Sequence, residues 1–142
     1  MKRLTMLLLA GVVVAAIAAP AATADEGAKK VDGRVFEIRT YYAAPGKMDA
    51  LNARFRDHTC KLFEKHGMTI IGFWNPTDPA DGQKRLIYIL AFPSREAATK
   101  SWEAFRKDPE WNAARSASEK DGKLVEKVDS VFVHATDYSP IK

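Results

Sequence analysis

Residues 35–66 read VFEIRTYYAAPGKMDALNARFRDHTCKLFEKH. The first eight of these residues, Val35–Tyr42, are mostly β-branched or aromatic, which predicts a β-strand. Their side chains alternate between two sets that would face opposite sides of the strand: Phe36, Ile38 and Thr40 against Glu37, Arg39 and Tyr41. The tripeptide Ala44-Pro45-Gly46 then predicts a turn.

The rest of the stretch, residues 47–66, predicts a helix. Its apolar stripe recurs at helical spacing and consists of Met48, Leu51, Phe55, His58, Leu62 and His66. Gly67 follows the stripe, as expected for a left-handed cap. Cys60 is expected on the opposite side of this helix, facing solvent or a partner. As the chain's single cysteine it is either a free thiol or a link between two chains.

The remaining sequence predicts two further strands, a second helix with a break, and a last strand. The strands are Thr69–Trp74, Leu86–Phe92 and Val125–Ala135, and the second helix is capped by Ser94 and broken at Asp108-Pro109. The order strand, helix, strand, strand, helix, strand predicts an α+β, ferredoxin-like βαββαβ domain with an antiparallel sheet and both helices on one face. Residues 35–138 would form this domain, with a tail at residues 139–142.

One face of such a sheet carries no helices and must be covered. Phe73 or Trp74 is expected to project from it, and an exposed apolar sheet face favours association. The sequence therefore predicts a twofold homodimer.

The amino terminus predicts export. Two positive charges, Lys2 and Arg3, precede an apolar run and then Ala22-Thr23-Ala24, which predicts a signal peptide at residues 1–24. Residues 25–34 would be a flexible lead-in. Cleavage lowers the formal charge from +4 to +2, and no basic cluster suited to nucleic acid remains. The mature chain is thus expected to be periplasmic or secreted, with no membrane segment.

Several motifs, in order, resemble the NIPSNAP family. They are residues 36–41 (FEIRTY) with residues 45–47 (PGK), residues 55–59 (FRDHT), residues 63–67 (FEKHG), residues 71–74 (IGFW), and residues 102–106 (WEAFR) with residues 108–111 (DPEW). The resemblance implies a ferredoxin-like subunit that pairs into a dimeric α/β barrel. It leaves the reaction open, because relatives in the wider barrel superfamily include cofactor-free monooxygenases and isomerases as well as haem-degrading enzymes.

The first candidate site lies between the helices and the sheet. His58 would be a general base there, or a core histidine, and His66 lies two turns further along the helix. Eight residues separate them, or about 12 Å along the helix axis, so they cannot share one metal ion. No metal site is expected. No cofactor is expected either, although haem, which needs a single axial ligand, could use His58 or His66.

The second candidate site is the barrel interior, which Glu37, Arg39 and Tyr41 are expected to face. Arg39 could hold a carboxylate with two hydrogen bonds, and Arg39 or Tyr41 could stabilise negative charge on a substrate. Alternatively, Glu37 and Arg39 form cross-strand ion pairs that fix the register or the dimer.

Large aromatic side chains could line a pocket for a flat ligand, or could simply be core: Trp74, Trp102, Trp111 and Tyr88. The sequence thus predicts an exported homodimer that binds a small organic molecule, and that could act on it as a cofactor-free monooxygenase or isomerase. The alternative is a non-catalytic interaction module.

Overall fold

A computed structural model describes residues 33–78, 81 and 84–142. The predicted signal peptide, and all of the predicted lead-in before Gly33, lie outside the described residues. Within the described part, no helix is both long enough and apolar enough to cross a bilayer. The elements are β1 (Val35–Ala43), α1 (Met48–Arg54), a π-helical turn (Phe55–Thr59), α2 (Cys60–Lys65), β2 (Thr69–Trp74), β3 (Arg85–Phe92), α3 (Arg95–Lys107), α4 (Pro109–Ser118) and β4 (Val125–His134).

The four strands form one antiparallel sheet in the order β2-β3-β1-β4. This order places β1 and β3 at the centre, as the split βαβ arrangement requires. Ser94 caps α3 by accepting from the Ala97 amide, and Asp108 caps α4 with Pro109 at its first position. The prediction of an α+β, ferredoxin-like fold is confirmed.

The side chains of β1 that face the helices are Glu37, Arg39 and Tyr41. Each lies directly opposite a core residue of β3, in the pairs Glu37–Leu90, Arg39–Tyr88 and Tyr41–Leu86, and directly opposed residues share a face. The prediction that this polar set faces the barrel interior is therefore wrong. Alternation separates the two sets of side chains, but it does not indicate which set meets the helices.

The open face of the sheet carries the other set. Ile38 lies beside Ile89 and Val131, and Val131 is 53% exposed. An apolar groove of about 290 Å³ crosses this face, lined among others by Phe36, Ile38, Ile71, Ile89, Val133 and Ile141. Phe73 packs in the core, 5.6 Å from Phe55 between ring centroids, whereas Trp74 projects from the open face and is 49% exposed.

The π-helical turn decides which helical residues are buried. It has an i→i+5 bond from the Cys60 amide to the Phe55 carbonyl, and Thr59 Oγ1 donates to the Arg54 carbonyl at 3.2 Å. A π turn holds more residues than an α turn, so the inward position after Phe55 falls on Thr59. The prediction that His58 lies on the buried stripe is wrong, because its side chain is exposed.

Cys60 also differs from its predicted position. It is half-buried and packs at the edge of the core, beside Phe55 and Phe73, instead of facing away from it. Burial, followed by the charge of Glu64, raises the pKa of its thiol. Gly67 ends the helix at φ +75°, as predicted.

Candidate functional site

A pocket of about 280 Å³ opens between the β1–β4 side of the sheet and helices α3 and α4. Its aromatic walls come from two helices: Trp102 and Phe105 from α3, and Trp111 from α4. Charged and polar side chains complete the lining, among them Arg39, Tyr41, Arg54, Arg106, Arg115 and Glu119. A concave site with aromatic walls and a few polar groups has the composition of a small-molecule site.

Glu37 anchors the floor of this region. Its side chain is 2% exposed, and its two oxygens accept three hydrogen bonds. Oε1 accepts from Arg39 Nη1 at 2.7 Å and from Ser130 Oγ at 2.6 Å, and Oε2 accepts from Trp102 Nε1 at 2.5 Å. Because these donors lie on β1, β4 and α3, the carboxylate ties the helix to the sheet and fixes the positions of both Arg39 and Trp102.

Arg39 lies against an aromatic wall. Its guanidinium carbon lies 4.3 Å from the Trp102 ring centroid and 5.6 Å from that of Tyr41, which is cation–π geometry. Burial alone would lower the pKa of Arg39, but Tyr88, Tyr41 and Glu37 raise it, so the group remains charged. Its Nε is buried and has no hydrogen-bond partner among the described residues.

Arg54 contributes a second guanidinium, and this one is buried: the residue is 5% exposed, with its guanidinium carbon 5.2 Å from the Trp111 ring centroid. Its Nη1 donates to Glu119 Oε1 at 3.0 Å and to Ser118 Oγ at 3.4 Å. Burial opposes the charge of Glu119, but hydrogen bonds from Arg54 and Arg115 outweigh it and lower the pKa of that carboxyl. Arg54 Nε is also buried, with no partner in the described part of the chain.

Sequence reasoning missed Arg54. The signal was its spacing, since it stands three residues after Leu51 and next to Phe55, on the inward stripe of the helix. A long charged side chain at such a position is usually assumed to reach solvent. Here the following π turn and helix α4 enclose it.

Tyr88 lies beneath the pocket. Its ring is fully buried and stands 5.2 Å from the Tyr41 ring between centroids. Burial, and after it the neighbouring Tyr41, raises the pKa of Tyr88 well above its usual value, so the phenol is neutral. The structure therefore brings together six of the residues predicted from sequence: Glu37, Arg39, Tyr41, Tyr88, Trp102 and Trp111.

The two predicted helical histidines are not part of this cluster. His58 is exposed, in a shallow groove between α1 and α4. His66 Nε2 lies 2.7 Å from Asp108 Oδ2, and its ring packs edge-on against Phe105. Neither histidine lines the pocket between the sheet and helices α3 and α4: His58 lies outside the interior, and Nε2 of His66 is bound to Asp108. His66 thus joins the end of α2 to the junction of α3 and α4.

Asp108 is the centre of that junction. Its Oδ1 accepts from the Glu110 amide at 2.7 Å, and its Oδ2 accepts from Lys65 Nζ at 2.9 Å. These bonds, led by those from Lys65 and His66, hold the pKa of Asp108 well below its usual range. Trp74, the remaining predicted ligand-binding residue, lies on the opposite face of the sheet from the pocket.

The sequence model of the family described as NIPSNAP matches residues 36–140. The chain belongs to the NIPSNAP family. Among solved structures, this NIPSNAP chain is similar to a NIPSNAP family protein of unknown function, Atu4242 from Agrobacterium tumefaciens. The two chains are 20% identical, with a TM-score of 0.68. The match covers 79% of this chain and 96% of that chain.

Two further structures have the same fold as this NIPSNAP chain. A second A. tumefaciens family protein, Atu5224, is 18% identical, with a TM-score of 0.67 and 78% and 100% of the two chains covered. SnoaB from Streptomyces nogalater, a cofactor-independent oxygenase solved as a mutant, is 10% identical, with a TM-score of 0.50 and 75% and 97% covered. No curated protein matches the sequence.

Proposed function

We propose that this NIPSNAP protein binds a small organic molecule in the pocket between its sheet and helices. The observation that carries the proposal is the combination of aromatic walls with two arginines, the half-buried Arg39 and the buried Arg54, whose Nε atoms are buried and have no partner among the described residues. Buried donors of this kind are nearly always satisfied. A volume of about 280 Å³ suits a molecule of one or two rings, at the lower limit of the roughly 300–1,000 Å³ of ligand pockets.

A catalytic version of the proposal is a cofactor-free monooxygenase or isomerase. The similarity in fold to SnoaB, described as a cofactor-independent oxygenase, is an analogy in its favour. In this version Arg39 and the Tyr41 hydroxyl would stabilise negative charge developing on a substrate oxygen. The exposed His58 is no longer our candidate for the base. The lowered pKa of Glu119, at the pocket wall, makes that carboxylate a weak base, so it is not proposed as the base in its place.

The alternative function, a non-catalytic interaction module, has one observation in its favour. All three hydrogen bonds of Glu37 are made within the subunit, so this polar cluster has a structural role in itself. Glu37 and Arg39 are two residues apart on one strand, however, so their ion pair does not fix the pairing of strands. The unpartnered Nε atoms of Arg39 and Arg54 have no such structural explanation, and this is why we favour ligand binding.

We further propose that the working form is an exported homodimer, periplasmic or secreted. Support for the dimer comes from the open face, where Ile38 and Ile89 lie beside the exposed Val131 and where Trp74 projects. Covering such a face with a second copy buries apolar surface. Support for export comes from the predicted signal peptide at residues 1–24.

Native mass spectrometry of the mature chain, residues 25–142, tests the proposal. The protein would be incubated with a library of neutral and charged one- and two-ring compounds. We expect a dimer that gains one ligand mass per subunit, and loss of that mass in Trp102→Ala. The matched control is Trp74→Ala, which removes an indole from the opposite face and should leave the ligand mass unchanged. Absence of any bound compound, or equal loss in both variants, would contradict binding in this pocket.

A further inference from the structure

The charges around the pocket indicate which class of ligand it takes. Five of its lining side chains are cationic and two are anionic: Arg39, Arg54, Arg106, Arg115 and Lys127 against Glu119 and Glu126. Two more carboxylates pair with this set from outside, Glu37 with Arg39 and Asp129 with Lys127. The group therefore retains one positive charge in excess, which is the charge that a monoanionic ligand would balance.

Arg39 and Arg54 also leave the same edge of their guanidinium groups without a hydrogen bond. Within the described residues, the hydrogen bonds of Arg39 and Arg54 are made by Nη1 alone. Nε is buried without a partner in both, and Nη2 of neither arginine makes a hydrogen bond within the described part of the chain. Nε and Nη2 form the two-donor edge that matches the two oxygens of a carboxylate. Each arginine is thus held through Nη1, and its Nε–Nη2 edge has no hydrogen-bond partner among the described residues.

Each of these arginines lies over an indole ring. Arg39 stacks on Trp102 and Arg54 on Trp111, and Phe105 closes the space between the two indoles, with ring centroids 5.7 Å from Trp102 and 4.5 Å from Trp111. Aromatic faces in contact with a cation favour a flat, unsaturated ligand that continues the stack. A flexible aliphatic acid would lose more conformational entropy on binding and gain no stacking.

We infer that the pocket takes a small planar aromatic carboxylate, whose carboxylate group binds the free edge of Arg39 or Arg54 and whose ring packs against Trp102 and Trp111. This inference rests on the proposed function, because it names the ligand class of the same pocket. It assigns Arg54, which sequence reasoning missed, to ligand recognition together with Arg39.

The test compares acids with their uncharged amides by isothermal titration calorimetry on residues 25–142 at pH 7. The probes are two pairs, 2-naphthoate with 2-naphthamide and benzoate with benzamide. The two members of each pair have nearly the same shape and differ in charge. The acid of at least one pair should bind at least tenfold more tightly than its amide. Acids that bind no better than their amides would overturn the inference while leaving the proposed function intact. Failure of all four probes to bind would also overturn it, and the compound library would then decide the proposed function independently.

Variants locate the carboxylate. Arg39→Gln or Arg54→Gln should weaken acid binding at least tenfold and leave amide binding nearly unchanged. Arg39→Lys keeps the charge but lacks the two-donor edge, so its affinity for the acid should be intermediate. Arg56→Gln, an exposed arginine on the same helical segment as Arg54, is the matched control and should bind the acid like wild type. Equal losses in the Arg56 control and the pocket variants would indicate a general charge effect and contradict the assignment. Because the acid–amide comparison uses wild-type protein, it stands even if a variant folds poorly.

Discussion

Replacing Glu37 by Gln should destabilise the fold and release Arg39 from its position over Trp102. Oε1 of Glu37 faces two donors and Oε2 faces a third, the indole N–H of Trp102. An amide has a single acceptor oxygen, so in either orientation its NH₂ group meets a donor. Removing one member of a buried ion pair costs about 3–5 kcal/mol. Since the Arg39 side chain is 18% exposed and regains some hydration, we expect about 2–3 kcal/mol.

The free energy of unfolding would be measured by urea denaturation of residues 25–142, followed by far-ultraviolet circular dichroism. Glu103→Gln, an exposed Glu on α3, is the matched control and should change stability by less than about 0.5 kcal/mol. In thermal unfolding, the loss expected for Glu37→Gln corresponds to a decrease on the order of 10 °C. A Glu37→Gln variant as stable as the control would refute the view that this carboxylate holds the pocket together.

Three further predictions concern the junction, the open face and the helix cap. Because the folded-state pKa of Asp108 is depressed, its stabilisation is present above about pH 4 and is lost as pH falls below that value. Urea unfolding at pH 6 and pH 3 should therefore show a smaller loss on acidification in Asp108→Asn than in wild type, and equal losses would contradict the assigned hydrogen bonds. Val131→Asp, on the open face, should convert the dimer to monomers in analytical ultracentrifugation. Val128→Asp, on the helix side of the same strand, is the control and should remain dimeric. If both variants remained dimeric, dimerisation through this face would be contradicted. Gly67→Ala should lower the free energy of unfolding by about 1–2 kcal/mol, because Gly67 has a positive φ. Gly33→Ala is the control and should change it little in the same urea assay, because a Cβ at Gly33 would have no atom within 4 Å.

The order of elements could be predicted from the sequence because each element carries its own local signal. The alternation of β1, the cap residues Ser94 and Asp108, and the glycine after α2 all indicate boundaries without tertiary information. The confirmed βαββαβ order follows from these boundaries. Six candidate residues in or beneath the pocket were found in the same way, because they are polar or aromatic residues on predicted core-forming elements.

The sites themselves were harder to place, for two physical reasons. Alternation in β1 is symmetric, so the polar set was assigned to the open face. The side chains that donate hydrogen bonds to Glu37 from other elements, Ser130 on β4 and Trp102 on α3, are distant from it in sequence. Only the fold shows that they are neighbours. Secondly, the π turn shifts the helical register by one residue, which moves Thr59 inward and His58 outward. Single π turns leave little trace in apolar periodicity.

Nuclear magnetic resonance of the three indole N–H groups offers the most direct test of ligand binding in this pocket. In a ¹H–¹⁵N spectrum of residues 25–142 titrated with 2-naphthoate, the signals of Trp102 and Trp111 should shift together as the ligand saturates the protein. The signal of Trp74, on the opposite face of the sheet, serves as the control within the same molecule and should stay in place. A shift of Trp74 alone, or no shift of Trp102 and Trp111 at any concentration of 2-naphthoate, would contradict an aromatic-carboxylate site between the sheet and the helices.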